Sequence, residues 1–192
     1  MKRTVALAIC LLAMFALCAL SSANAASFQS ASLEVFADGV VHFKATIITN
    51  GTEASVTMPL LAPREHAYNV LATDEAGSAL AYDVEGQNIT IYSLDATQVT
   101  LEYDTDFLTS KSGGLWTLAF TSPFKVDVLF PKNSTIIYIN AAPLSLRAKG
   151  DSVVLKLSPG SWEICYEVGV HPPAPQPPAP QPEPKQPGGG WP

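Results

Sequence analysis

The sequence predicts an all-β fold, a sandwich of two antiparallel sheets. Three observations carry this. From residue 27 onward apolar and polar residues alternate at a period of two, turn residues recur about every 8 to 12 positions, and no stretch shows a helical stripe that could cross between parallel strands. Parallel α/β folds are thereby excluded.

The elements follow in order. Leu33 and Val35, then Val41, Phe43, Ala45 and Ile47, are apolar at odd positions, with Glu34, His42, Lys44 and Thr46 between them. At Asp38-Gly39 a two-residue turn would set Val35 against His42. A three-residue loop with Gly39 as a left-handed bulge pairs Val35 with Val41 and Leu33 with Phe43, which keeps one face apolar, so the bulge is expected. At Asn50-Gly51 a two-residue turn pairs Ile47 with Ala54, Ala45 with Val56 and Phe43 with Met58, so a three-strand meander is expected there.

Leu80, Tyr82 and Val84 lead through Glu85-Gly86-Gln87-Asn88 to Ile89 and Ile91, and Val99, Leu101 and Tyr103 form the next strand. Trp116, Leu118 and Phe120 precede Phe124, Val126, Val128 and Phe130. The Pro131–Ser134 turn opens Thr135 to Asn140, and Leu144 and Leu146 precede Gly150-Asp151. Val153, Leu155 and Leu157 lead to Pro159-Gly160, and Trp162, Ile164, Tyr166 and Val168 close the domain. About a dozen short strands of this kind make a two-sheet sandwich that is immunoglobulin-like in general architecture.

The ends of the chain have a different composition. Lys2 and Arg3 precede an apolar run from Val5 to Leu20, and Ala23-Asn24-Ala25 supplies an A-x-A arrangement, so residues 1–25 read as a secretory signal peptide, with an uncleaved anchor as the alternative. The domain is then 27–169. Residues 170–192 are a proline-rich tail with a recurring Pro-Pro-Ala-Pro-Gln, expected to be disordered or polyproline II, of which residues 171–187 would reach roughly 50 Å at about 3.1 Å per residue. Trp191, beyond the triplet Gly188–Gly190, is a candidate docking knob, against the plainer reading of a solvated tail. No further apolar run long enough to span a bilayer follows the leader.

Export sets the redox and charge expectations. Cys10 and Cys18 lie in the leader, so Cys165 is the one cysteine of the domain and no intramolecular disulfide is available. A thiol packed between sheets is expected, an intermolecular bridge being the alternative. Without Lys2 and Arg3, nine basic residues stand against 17 acidic ones, a net charge of −8 (9 − 17). Such a surface disfavours nucleic acid and anionic lipid, and favours cations, sugars or basic proteins.

Catalytic signatures are lacking. Ser122-Pro123-Phe124-Lys125 matches S-x-x-K, but Pro123 and the strand alternation put Ser122 and Lys125 on opposite faces of an extended segment. The nucleophile-elbow, zincin, C-x-x-C and phosphate-loop patterns do not occur. Glu102, Asp104 and Asp106 share the polar face of one strand at roughly 7 Å spacing, where Asp95 or Asp74 from neighbouring loops could join them in holding Ca²⁺; a solvated acidic face is the alternative. His42, His66 and His171 have no zinc-ligand spacing. Asn50, Asn88 and Asn133 head N-x-[ST] sequons at expected turns or strand starts, where glycans would be accessible.

The runs YDTDFLTSKSGGLWTLAF, PFKVDVLFPKNSTII and PGSWEICYEV resemble the exported β-sandwich ectodomains of archaeal membrane-associated, cell-surface proteins, over about residues 30 to 168. The resemblance implies a non-catalytic ectodomain. The proline tail stands where that family would place a membrane segment. A secreted or cell-envelope module that binds a protein or envelope component is therefore expected, with no enzymatic activity. The second expectation is an extracellular small-ligand or carbohydrate binder, calcium-assisted, with Trp116 or Trp162 as a stacking platform or else as core.

Overall fold

The computed structural model describes residues 27–169. The expectations for residues 1–25 and 170–192, Trp191 among them, lie outside the described residues. Along the described chain run β1 (Ser27–Val35), β2 (Val41–Ile48), β3 (Val56–Pro59), β4 (Tyr68–Thr73), β5 (Tyr82–Glu85), β6 (Asn88–Ile91) and β7 (Gln98–Thr105). They are followed by β8 (Thr109–Ser112), β9 (Leu115–Ser122), β10 (Val126–Leu129), β11 (Ser134–Ile139), β12 (Ser145–Lys149), β13 (Ser152–Leu157) and β14 (Gly160–Val168). The all-β class is as predicted. Among the described residues the one helical element is a 3-10 turn, Arg64–His66, and no helix is long and apolar enough to cross a membrane.

The strands form a seven-stranded sheet, β12-β13-β10-β1-β2-β7-β4, a four-stranded sheet, β11-β14-β9-β8, and a three-stranded sheet, β3-β6-β5. All three bury their apolar faces in one core. Leu33, Phe43, Ile47, Leu101, Val128 and Leu155 come from the first sheet, Leu118, Ile164 and Tyr166 from the second, and Met58, Ile89 and Ile91 from the third. Each such fully buried large side chain contributes about 1.5–3 kcal/mol relative to exposure.

Pairing is antiparallel throughout except that β1 runs parallel to β10, Leu33 opposite Val128. The chain reaches β10 by leaving the four-stranded sheet at Ser122 rather than turning back within it. Pro123 supplies no N–H at that crossing, and the buried Ser122 hydroxyl donates to Phe124 O at 2.8 Å and accepts from Phe124 N at 3.3 Å. Its oxygen is thus occupied by the bend, consistent with the rejection of the S-x-x-K reading.

The β1–β2 loop is the expected one: Leu33 pairs with Phe43, Val35 with Val41, and Gly39 has φ +91°. The Asn50-Gly51 hairpin is not formed. β3 pairs with β6, and β2 takes β7 as its neighbour, Phe43 opposite Tyr103 and Ala45 opposite Leu101. A type I′ turn needs positive φ at both central residues; Gly51 has φ +72°, but Asn50 is not among the positive-φ residues. Its side-chain oxygen instead accepts from Thr52 N at 2.9 Å and Thr52 Oγ1 at 2.7 Å, an Asx turn. β7 also matches the whole eight-residue length of β2, against four residues in β3.

Other local expectations are corrected. The inward alternation of β7 slips after Thr105, so that Phe107 is exposed and Leu108 buried in its place. Leu144 and Leu146 are exposed, because β12 is an edge strand with nothing over either face. Cys165 is not between sheets. It lies on the outer face of β14, 3.6 Å from Thr117 Oγ1 and half-buried.

Candidate binding surface

The carboxylate stripe lies on the outer face of the seven-stranded sheet. Alternation turns Leu101 and Tyr103 inward and Glu102 and Asp104 outward, as the sequence predicts, with Asp106 exposed just past the end of β7. The β2–β7 register then decides what each carboxylate meets. Asp104 stands opposite His42, and Glu102 opposite Lys44. Asp104 Oδ1 lies 2.7 Å from His42 Nδ1 and its Oδ2 accepts from Asn69 Nδ2 at 2.8 Å. The Asn69 amide, then His42, holds the Asp104 carboxyl below the ordinary range despite partial burial.

Asn69 reaches this position because φ +52° places it in the bulge between Tyr68 and Leu71 of β4. Asp106 Oδ1 lies 3.1 Å from His66 Nδ1 and accepts from Tyr68 OH at 3.0 Å, and His66, then Tyr68, lowers its pKa. The same bond raises the Tyr68 phenol. Phe107, turned outward, packs on the His66 ring at 5.0 Å. Lys44 Nζ is 2.5 Å from Glu102 Oε1.

Each carboxylate is therefore directed to its own donors, and among the described residues no group of three His, Cys, Asp or Glu side chains gathers where a metal ion could be held. Asp74 is engaged elsewhere, its Oδ1 accepting from Ala76 N at 2.9 Å and Ser78 N at 2.7 Å. Asp95 lies in the loop before β7 with φ +72°. The partners His42, Lys44, Asn69, His66 and Tyr68 escape a sequence reading because they come from β2, the 3-10 turn and β4, far along the chain from β7. The outward parity of His42 and Lys44 in β2 was their one legible signal.

Neither tryptophan of the domain offers an open platform. Trp162 is buried and donates from Nε1 to Ser158 O at 2.8 Å. Trp116 is half-buried beside Tyr166, ring centroids 6.4 Å apart and 11° from parallel, with Lys111 Nζ 4.8 Å from its ring. Asn50, Asn88 and Asn133 are all exposed, in the Asx turn, at the first residue of β6, and in the turn before β11. Open clefts also mark the surface. One of about 500 Å³ has Val35, Phe36, Phe130 and Pro131 as walls with Lys132 and Lys149 at its rim, and one of about 470 Å³ lies by Leu60, Phe107, Phe120 and Trp162.

The strand edges differ sharply. β4 is closed at one end: Thr73 bridges Ala79, and Leu80 N donates to Ala72 O at 2.8 Å. β12 and β11 have no further strand beyond them among the described residues. On these two edges and the turn between them, large apolar side chains face solvent, Ile137 at 54%, Tyr138 at 50%, Leu144 at 54% and Leu146 at 63% exposure. Open edges of this kind are available for pairing with another chain.

No protein-family model matches the chain, and no curated protein matches it. Among solved structures it is similar to an aminopeptidase N family protein from Idiomarina loihiensis, at a TM-score of 0.51 and 8% identity, over 72% of this chain and 29% of that one. The chain thus spans under a third of that protein's length, and a likeness at this identity shows the fold alone.

Proposed function

We propose that the chain is a secreted or cell-envelope β-sandwich module that binds a protein or envelope component by strand addition at an open edge, without catalysis. The observation that carries this reading is the pairing of unpartnered strand edges with exposed apolar side chains at β11 and β12. An extended partner gains main-chain hydrogen bonds from such an edge and side-chain burial beside it. The polar groups of the sheet face, by contrast, are already spent on one another. The leader-like residues 1–25 and the resemblance to archaeal ectodomains support placement outside the cytoplasm, with the proline-rich tail as a spacer toward a surface layer.

The test is a photo-crosslinking residue at Ile137, at Leu146, and at Lys44 on the sheet face, in the full chain made by its own cells. Adducts at either edge position and none at Lys44 are expected. Adducts at Lys44 alone, or at none of the three, would overturn edge binding. Fractionation with a mass measurement of the N-terminus tests location; a cytosolic product retaining residues 1–25 refutes export.

A further inference from the structure

We infer that β11 is a self-association edge, pairing with β11 of a second copy about a two-fold axis to join two four-stranded sheets. The inference rests on the edge-binding reading and names the edge and its occupant.

The strand edges can be compared one by one. β4 is covered at Ala72 and Thr73 by Leu80 and Ala79, and its other half is broken by Asn69 at φ +52°. β3 ends in Pro59, which lacks a donor, and β5 carries Asp83 and Glu85 in four residues. β8 carries Lys111. β12 carries Arg147 and Lys149, and antiparallel pairing of two copies about its centre would set Arg147 against Arg147. Charges and prolines at these positions are the usual guards of sheet edges.

β11 alone has none. Ser134-Thr135-Ile136-Ile137-Tyr138-Ile139 contains no charge, proline or glycine, and five of its six residues are strong strand formers. That composition is the signature of self-pairing segments. The irregularity between Ile136 and Tyr138 brings both Ile137 and Tyr138 to the surface, so each copy supplies two large apolar side chains beside the edge.

Net charge opposes self-association in general and restricts where a seam can lie. The chain carries −6 overall, so two copies repel at long range and need a contact where no like charges meet. The pairing that charge would favour instead sets the basic β12 edge against the acidic β7–β4 side of another copy, and Ala79 and Leu80 obstruct it. The proline-rich tail is unsuited to the edge, since ten prolines in residues 171–192 remove the donors a ladder needs.

Sedimentation of the full chain over a wide concentration range, at low and high salt, tests this. A monomer–dimer equilibrium that tightens with salt is expected, because screening weakens the net repulsion and leaves an apolar seam intact. Ile137→Lys and Tyr138→Lys, checked for unchanged melting, should each raise the dimer dissociation constant at least tenfold, about 1.4 kcal/mol. Leu146→Lys on the other open edge should leave it unchanged. A monomer at every concentration, weakening with salt, or a dimer lost in Leu146→Lys but not in Ile137→Lys overturns the assignment. A monomer that still crosslinks through Ile137 to another polypeptide refutes self-association yet leaves edge binding standing, whereas no adduct at either edge removes both.

Discussion

Gly39 should be the least replaceable glycine in the domain, and a series of three alanine substitutions separates the reasons. Its φ of +91° disfavours any side chain, and a Cβ there would lie 2.5 Å from Trp116 Cη2, closer still to Cζ3, and 3.0 Å from Thr109 Oγ1. The Thr109 hydroxyl also donates to Gly39 O, so the loop cannot withdraw freely. Gly113 has φ +61° with nothing within 4 Å of its Cβ site, and Gly114 has an ordinary φ and equally open space. The left-handed conformation costs a non-glycine residue about 1–2 kcal/mol, and an overpacked methyl about 1–3 kcal/mol more. Gly39→Ala should therefore lose about 2–5 kcal/mol, Gly113→Ala about 1–2 kcal/mol, and Gly114→Ala nearly nothing. At roughly 3–5 °C per kcal/mol for a domain of this size, Gly39→Ala should lower Tm by about 6–25 °C. Thermal melts followed by circular dichroism read the series, and Trp116 fluorescence reports the displaced indole. Gly39→Ala melting no lower than Gly113→Ala would refute the packing argument.

Four further outcomes follow from the geometry. Asp104→Asn should flatten the acid limb of the stability–pH curve: the folded carboxyl titrates below its unfolded value near 3.9, so its contribution is present above that pH and lost as pH falls through the folded value. The effect should stay under about 1 kcal/mol at neutral pH because the pair is substantially exposed. Millimolar calcium should leave Tm unmoved, since Asp104 and Asp106 are already engaged; a rise that vanishes with chelator would restore the ligand reading. Tyr103→Phe should cost about 1–3 kcal/mol by denatured-state titration, because Tyr103 OH accepts the Leu61 N–H at 2.9 Å and that donor would be stranded. Tyr166→Phe should be neutral or stabilising, since its buried OH has no partner among the described residues and burial pushes its pKa up to about 12.

Turns whose strands are consecutive were legible in the sequence. The Gly39 bulge followed from matching Val35 to Val41, and the Glu85–Asn88 turn from the apolar residues flanking it, because both strands of each pair lie within a few residues. Asn50-Gly51 was misread because turn chemistry permits a hairpin without enforcing one, and the longer partner of β2 begins only at Gln98. β4 was missed because Asn69 at positive φ breaks its alternation. Alternation in β12 was legible, its exposure was not, since a period of two says that side chains divide between faces and nothing about what covers them. The carboxylate stripe was read from β7 alone. Its satisfaction by His42, Lys44, His66, Tyr68 and Asn69 depends on pairing and loop placement that no local pattern encodes.

Those ion pairs do not set the register they decorate. A one-residue slip of β2 along β7 would turn Phe43, Ala45 and Ile47 to solvent while Leu101 and Tyr103 stayed inward, and is excluded by burial alone. A two-residue slip keeps the faces, and in one direction it would place Lys44 opposite Asp104 and His42 opposite Asp106, charges still complementary. What it would break is the Phe43–Tyr103 stack, the contact of Phe43 with Phe124 at 6.2 Å, and the far end of the pair, where Thr49 N donates to Thr97 O at 3.0 Å. The Gly39 loop closes the near end of β2 onto β1 and fixes its starting point. Register is therefore held by aromatic packing and by the ends of the strands, and the charges act on solubility and on the rows they neutralise. The groups of the acidic outer face are thus matched by strands the core has already aligned, and unmet hydrogen-bonding capacity is left at the edges.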